Sequence, residues 1–323
     1  MLQPTFATRT YHRFLVLMLG AILTTGRQTI TNILRTVHPY AKGHIASYHR
    51  VFSQRRWSAW ALARLLITCL LDHVVPSGPV LLAGADTVAE RPGPNVFGKG
   101  RHRDGVRSTH SYTAYRWGHT WVVVLVLVKL PCAVRPWALP VLVALYCDPE
   151  WDQAHGMRHK TPAHLVRLLL ARVVRWFPER QFIFVRDTGY GTGETARFCG
   201  QHHTHLTWVS KFYGNAALYE PPPSRTRSTM GRPRVKGQKL ASPQEVVANT
   251  AEHTSLTVAW FGGTPRDIEV VTGTGHWYRV GEALVEVRWV YVHDGTETHR
   301  DEYVLTTDIT MRPQQIVECD TQR

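Results

Sequence analysis

The hydrophobic pattern changes period once, at Pro76-Ser77-Gly78, and that change constrains the fold more than any other feature. Before it, apolar residues recur three and four positions apart: Phe14, Leu17, Met18, Ala21 and Ile22, then Trp57, Trp60, Ala61 and Leu65. That spacing builds one face of a helix. Thr29-Ile30-Thr31-Asn32 and Ser58 supply N-cap chemistry for such helices. After the break, short β-branched apolar runs take over. Val80-Leu81-Leu82-Ala83-Gly84-Ala85 predicts a buried strand ending in Asp86-Thr87, and Trp121–Leu130 and Ala138–Tyr146 predict two more. Pro162 opens an amphipathic helix with Leu165, Leu169, Val173 and Trp176 on one face. Gln181–Arg186 predicts a strand ending in Asp187, residues 193–202 a helix, and Leu206–Phe212 another strand. Adjacent strands followed by helix, strand, helix, strand form an α/β layout. Residues 213 to about 240 read as irregular. Alternation resumes over 254–261, 266–272 and 283–293 as an antiparallel β segment, 301–308 adds a strand, and Pro313 opens a last helix.

Charge points to the partner. Residues 1–78 carry nine Lys/Arg against one acid, residues 79–240 carry 23 against ten, and residues 241–323 carry six against thirteen. With a net charge of +14, basic over its first three quarters, the chain suits a polyanion, with an anionic membrane surface as the alternative. The short basic helices before residue 78 suggest a helix-turn-helix-like DNA-binding domain, against the alternative of a helical cap on the next domain. The longest apolar runs, Phe14–Leu23 and Trp121–Val128, are too short to span a bilayer, and no small-residue cleavage site follows the first. Five scattered cysteines, none in CxxC spacing, argue against a disulfide framework and a zinc ribbon.

Asp86 and Asp187 each directly follow a buried apolar run. A carboxylate there faces the crevice beyond the sheet while its strand stays rigid. Two of them suit a divalent metal, because Mg²⁺ prefers oxygen donors and one or two carboxylates. Paired metals about 3.5–4 Å apart serve phosphodiester chemistry. For a lone strand-end Asp, a simple turn start is the better explanation. Lys99, Arg101, Arg103, Arg107 and Arg116, interleaved with His102, His110, Tyr112 and Tyr115, fit phosphate contact and base stacking, or a solvated hairpin. Residues 211–240, including Lys211 and Lys236, hold seven Lys/Arg and one acid. Within them Gly231-Arg232-Pro233-Arg234 resembles an AT-hook core, and a flexible basic loop is the alternative. Gly191-Thr192-Gly193-Glu194-Thr195-Ala196 mimics a dinucleotide turn, but no acid closes a second strand about 20 positions on. Cys199, His202, His203 and His205 match no standard zinc spacing and read as a polar helix end.

Taken in order, Gly84-Ala85-Asp86-Thr87, Val185-Arg186-Asp187-Thr188-Gly189-Tyr190-Gly191, Leu305-Thr306-Thr307-Asp308 and Ile316-Val317-Glu318-Cys319 resemble the DDE transposases of bacterial insertion sequences. The likeness extends to Tyr48-His49-Arg50-Val51-Phe52-Ser53 and Arg55-Arg56-Trp57-Ser58. It implies an α/β fold: a ribonuclease-H-like mixed-sheet core with an N-terminal helical domain and a β-rich insertion. The expected divisions are 1–78 for the helical domain, 79–212 for the core, 213–300 for the basic loop and insertion, and 301–323 for the return to the core. Asp86 and Asp187 are then the first two catalytic metal ligands, taking Mg²⁺ or, in its place, Mn²⁺. The implied partners are double-stranded DNA, as element ends and target, and a second copy of the chain as a homodimer on DNA. The implied location is the cytoplasm, at the bacterial nucleoid. The expected DNA contacts are Arg55, Arg56, Lys99, Arg101, Arg103, Arg107, Arg116, Lys211, Arg232, Arg234, Lys236 and Arg323. One of Trp260, Trp277 and Trp289 is expected to stack on an unpaired base.

The family's last motif is a Tyr, two residues, an Arg, three residues and the catalytic Glu. Here Asp320 takes the Tyr position and Arg323 the Arg, so the Glu would follow about four positions after Arg323. Glu318 is out of register, about 13 Å along a helix from the expected position. On these grounds the 323 residues are expected to cut DNA weakly or not at all. A non-catalytic DNA-binding remnant or inhibitor, and a metal-dependent nuclease without joining activity, are the alternatives.

Overall fold

The computed structural model describes residues 6–186, 193–224, 233–278 and 284–322, with Arg186 by its backbone alone. Two compact units divide the chain, Met1–His73 and Val74–Arg323. The first holds four helices, α1 (Thr8–Leu23), α2 (Ile30–Thr36), α3 (Ile45–Ser53) and α4 (Ala59–His73). Local chemistry starts them. Thr29 Oγ1 accepts the Asn32 N–H, His44 Nδ1 accepts the Ala46 N–H, and Ser58 Oγ accepts the Ala61 N–H. Leu17, Ile33, Tyr48 and Val51 form the core of the first three helices. Gly20 permits the close approach, since a Cβ there would stand 2.5 Å from Ile33 Cγ2. The Tyr48 hydroxyl donates to the Lys42 carbonyl at 3.0 Å, and the Trp57 indole N–H donates to Val51 O at 2.9 Å.

The second unit runs β1 (Val80–Glu90), β2 (Gly100–Arg103), β3 (Tyr115–Val128), β4 (Trp137–Tyr146), α5 (Pro149–Ala154), α6 (Pro162–Trp176), β5 (Phe182–Arg186), α7 (Gly193–Gln201) and β6 (Leu206–Phe212). It continues through β7 (Leu218–Tyr219), α8 (Pro243–Ala248), β8 (Thr254–Ala259), β9 (Pro265–Trp277), β10 (Val285–His293), β11 (Glu302–Thr306) and α9 (Pro313–Thr321). The break at Pro76-Ser77-Gly78 is pinned by Arg180, whose guanidinium donates to Val75 O at 2.7 Å and Gly78 O at 3.2 Å. That anchors the entry into β1.

The strands share one sheet in the order β2-β3-β1-β5-β6-β11-β10-β9-β7, with β4 on β3 and β8 on β9. β1, β3 and β4 pair antiparallel, while β5 and β6 run parallel to β1. This is the mixed α/β sheet expected of a ribonuclease-H-like core. Helix α6 packs on β3 and β4, and α7 on β6 and β10. Thr161 Oγ1 caps α6 by accepting the His164 N–H, and the helix buries Leu165, Leu169, Leu170 and Val173. Helix α9 closes a separate apolar cluster, where Ile316, Val317 and Cys319 meet Ala83, Val185 and Val209. Among the described residues, no helix is long and apolar enough to cross a membrane.

Several elements differ from expectation. β1 does not end at Asp86-Thr87 but runs to Glu90, because β3 pairs with it from Leu82↔Val126 to Glu90↔Gly118. β3 begins at Tyr115, not Trp121, and its first turn of residues forms a hairpin with β2. Alternation was hidden there because the exposed face carries Arg, Tyr and Trp rather than small polar residues. Two short helices stand where no helix is expected: α5, capped by Asp148, and α8, held by a Ser242–Glu245 capping box. The antiparallel strands β8–β10 are present, and β10 joins the core sheet through β11.

Candidate active site and its basic surroundings

Asp86 sits inside β1, opposite the fully buried Val122 of β3. Leu82 and Ala83, just before it, are buried, whereas Asp86 itself is exposed. Among the described residues, parallel pairing of β1 with β5 runs from Val80↔Phe182 to Ala83↔Val185. Asp86 lies three residues further along β1, where β3 pairs with the strand through Asp86↔Val122. Asp187 follows β5 in the sequence and lies outside the described residues, as do Gly191 and Thr192 of the glycine turn. An aspartate pair offers hard oxygen donors, which suit Mg²⁺ or Mn²⁺. Among the described residues, no group of three or more His, Cys, Asp or Glu side chains could hold a metal ion.

Glu318 is committed elsewhere. Its carboxylate accepts the Ala259 N–H of β8 at 3.1 Å and the Gln314 amide at 3.2 Å. Its helix also packs on the Ala83 side of the sheet, and alternation along β1 puts Asp86 on the other side. The Cys199–His205 group forms a helix end, as its spacing suggested. Cys199 is fully buried, which pushes its thiol pKa up, the His202 ring packs edge-on against Phe198, and His203 Nδ1 bonds Gly200 O at 3.1 Å.

The twelve expected DNA-contact residues fall into four groups. Arg55 and Arg56 are exposed between α3 and α4, and Arg103 and Arg234 are exposed on the second unit. Lys99, Arg101, Arg107 and Lys236 are partly engaged. Lys99 Nζ donates to Gly93 O at 2.9 Å, Arg101 lies 4.5 Å over the Tyr115 ring, and Arg107 stands 3.8 Å from Asp104. The Lys236 ammonium sits 3.8 Å from the Tyr219 ring and 4.6 Å from that of Tyr278. Arg116 and Lys211 are ion-paired within the fold, Arg116 with Glu90 and with Asp104, Lys211 with Glu302. Arg232 and Arg323 lie outside the described residues.

The expected stacking tryptophan is a correction. Trp260, Trp277 and Trp289 are exposed by only 8%, 9% and 2%. Trp277 packs against Trp208 and Phe212, and Trp289 lies against Gly273, where a Cβ would come within 2.7 Å of its ring. Their apolar area is spent inside the sheet cores, which leaves no ring face for a base. His102, read among the cations, is buried against the Tyr146 ring, and burial holds its pKa below the ordinary histidine value.

One polar network was not visible in the sequence. Asp301 accepts the Tyr291 hydroxyl at 2.6 Å and bonds His293 Nδ1 at 2.8 Å. The bond to Asp301 raises the His293 pKa, and burial followed by the same carboxylate raises that of Tyr291. The residues meet only because β10 and β11 pair in register Tyr291↔Tyr303 and Val292↔Glu302.

A family model described as DDE superfamily endonuclease matches residues 1–266. No curated protein matches the chain. Among solved structures the chain is similar to piggyBac transposase, seen by cryo-EM as a synaptic complex with hairpin DNA, at 10% identity and a TM-score of 0.38. The similarity covers 97% of this chain and 56% of that one, so the chain spans little more than half the length of that transposase.

Proposed function

The chain belongs to the DDE superfamily endonucleases, and from that membership we propose that it acts as an insertion-sequence transposase, cutting DNA at element ends and joining the freed ends to target DNA. The observation that carries the site assignment is an exposed carboxylate, Asp86, on a strand paired with β3 at Asp86↔Val122 and with β5 at Ala83↔Val185. Asp187, next after β5 in the sequence, is the natural second ligand. These two side chains would hold Mg²⁺ or Mn²⁺, which when bound supplies polarisation of a phosphoryl oxygen. The rigid strand keeps the Asp86 carboxylate from having to be ordered on binding. The exposed Arg55, Arg56, Arg103 and Arg234 supply phosphate contacts that set the register of the duplex. Two copies of the chain, one on each element end, complete the proposed assembly.

The test pairs metal binding with DNA cleavage in the purified chain. Mn²⁺ titration should reveal a site lost in both Asp86→Asn and Asp187→Asn; nicking of an end-containing duplex is expected to be weak, because the third carboxylate of the family motif is missing from these 323 residues, and any nicking seen should vanish in the same variants. Log affinity for the duplex should fall linearly with log salt. Duplex binding without nicking, and with no Mn²⁺ site, would assign the chain to non-catalytic DNA binding instead. Nicking that survives Asp86→Asn would remove that residue from the site.

A further inference from the structure

The β2–β3 hairpin presents a face that the core does not use. Its rungs are Arg101↔Trp117 and Arg103↔Tyr115. Residues directly opposite in an antiparallel ladder share a side, so these four project together. Arg91 extends the row from β1, its N–H donating to Trp117 O at 3.1 Å, one rung beyond Glu90↔Gly118. Lys99 adds a further cation, its ammonium 5.8 Å from the Trp117 ring. Tyr115 is 51% exposed and Trp117 59%. The neighbouring acids, Glu90 and Asp104, are turned the other way, where both take Arg116. Asp86 pairs with Val122, which alternates onto that same Arg116 side. The aromatic and cationic face is thus on the opposite side of the sheet from Asp86, and its β1–β3 residues include no carboxylate.

Exposed aromatic rings gain little from duplex DNA, whose bases are hidden in their own stack, whereas every unpaired base offers a ring face. Tyr115 and Trp117 are two residues apart on one strand, about 6.8 Å. That is about twice the 3.4 Å spacing of stacked bases. Neighbouring bases that each met one ring would have to be pulled out of stack, as they can be in a single strand. The cations over the rings hold them in place in advance, which lowers the ordering cost of binding.

We propose that this face binds single-stranded nucleic acid, with bases on Tyr115 and Trp117 and phosphates on Arg91, Lys99 and Arg101. The inference rests on the nucleic-acid reading above, and names a second surface on the other side of the sheet from Asp86. The experiment is fluorescence anisotropy of the full chain with a labelled oligothymidylate and, separately, a labelled duplex, at matched salt. Trp117→Ala should weaken the oligothymidylate about tenfold, Trp117→Phe should retain most of the affinity, and both should leave duplex affinity unchanged. Tyr115→Ala, at the exposed end of the hairpin, carries the test if Trp117→Ala fails to fold. Single-strand affinity that survives loss of either ring, or an equal loss for duplex, would overturn the proposal while leaving DNA binding intact. Failure of the unaltered chain to bind either probe at low salt would overturn the nucleic-acid reading itself.

Discussion

Replacing Arg116 separates two roles that its sequence context left entangled. Arg116 Nε lies 3.0 Å from an Asp104 carboxylate oxygen, and its Nη1 meets Glu90. Asp104 is only 8% exposed, and its carboxylate otherwise accepts the Val106 N–H at 3.1 Å and the Arg107 N–H at 3.3 Å. Removing one partner of a fully buried ion pair costs about 3–5 kcal/mol. Two backbone donors and the exposed Arg107 guanidinium at 3.8 Å remain to Asp104 here, so Arg116→Ala should cost about 2 kcal/mol. The Glu90 contact adds only a few tenths, since that side chain is 63% exposed. In a unit of this size, about 2 kcal/mol lowers the melting temperature by about 4–8 °C. The assay is urea unfolding combined with duplex affinity across a salt series. Arg116→Ala should lower the urea midpoint and leave the slope of log affinity against log salt unchanged. Arg103→Ala should do the reverse, keeping the midpoint and lowering the slope by about one. An Asp104→Asn, Arg116→Ala double variant should recover part of the lost stability, because no unpaired charge is left behind. If Arg116→Ala unfolds like the parent while its salt slope falls by about one, the arginine is a phosphate contact and the structural reasoning fails.

Three further outcomes follow from the packing. The Asp301 bond raises the His293 pKa above 6.5, so its contribution is full below that value and is lost as pH rises through the raised one. Burial pushes Asp301 upward, but the bonds from Tyr291 and His293 prevail, so its share is lost as pH falls through a value below 3.8. Both side chains are more than a third exposed, which limits the pair to about 1 kcal/mol or less; His293→Ala should flatten the urea midpoint between neutral and alkaline pH, and an unchanged profile would count against the network. Ile316→Ala, at a fully buried position of the α9 cluster, should cost about 2–5 kcal/mol by calorimetry, and a loss well under about 1 kcal/mol would mean that α9 does not close that face. Gly118→Ala would drive a Cβ into the Ala89 carbonyl oxygen of β1, so it should cost about 1–3 kcal/mol and weaken Mn²⁺ binding at the site proposed around Asp86 of β1; a variant as stable as the parent would show that β1 and β3 can part there.

Much of this architecture was legible in local pattern. The change from helix to strand between His73 and Val80, the strand that leads to Asp86, the capped helix after Pro162 and the final helix after Pro313 stand close to where periodicity put them. Each of those signals is set by neighbours within a few residues, through φ restriction at Pro, capping at Thr161 and apolar spacing. The extension of β1 to Glu90 was not legible, because it depends on β3, whose partner residues lie some thirty positions away in the chain. Nor could the sequence say that Arg116 and Lys211 find acids while Arg103 stands exposed, since Glu302 reaches Lys211 from 91 residues away.

By itself, then, the sequence determined the order of the longer elements, the basic first three quarters and the two aspartates that follow buried apolar runs and mark the candidate site. Tertiary structure alone decided which side of the sheet each of those charges and rings occupies. Pairing register assigns alternate residues to opposite faces, and a shift of one residue would exchange them all. That register buried Trp260, Trp277 and Trp289, left Tyr115 and Trp117 in solvent beside Arg101 and Lys99, and put Asp86 on the other face.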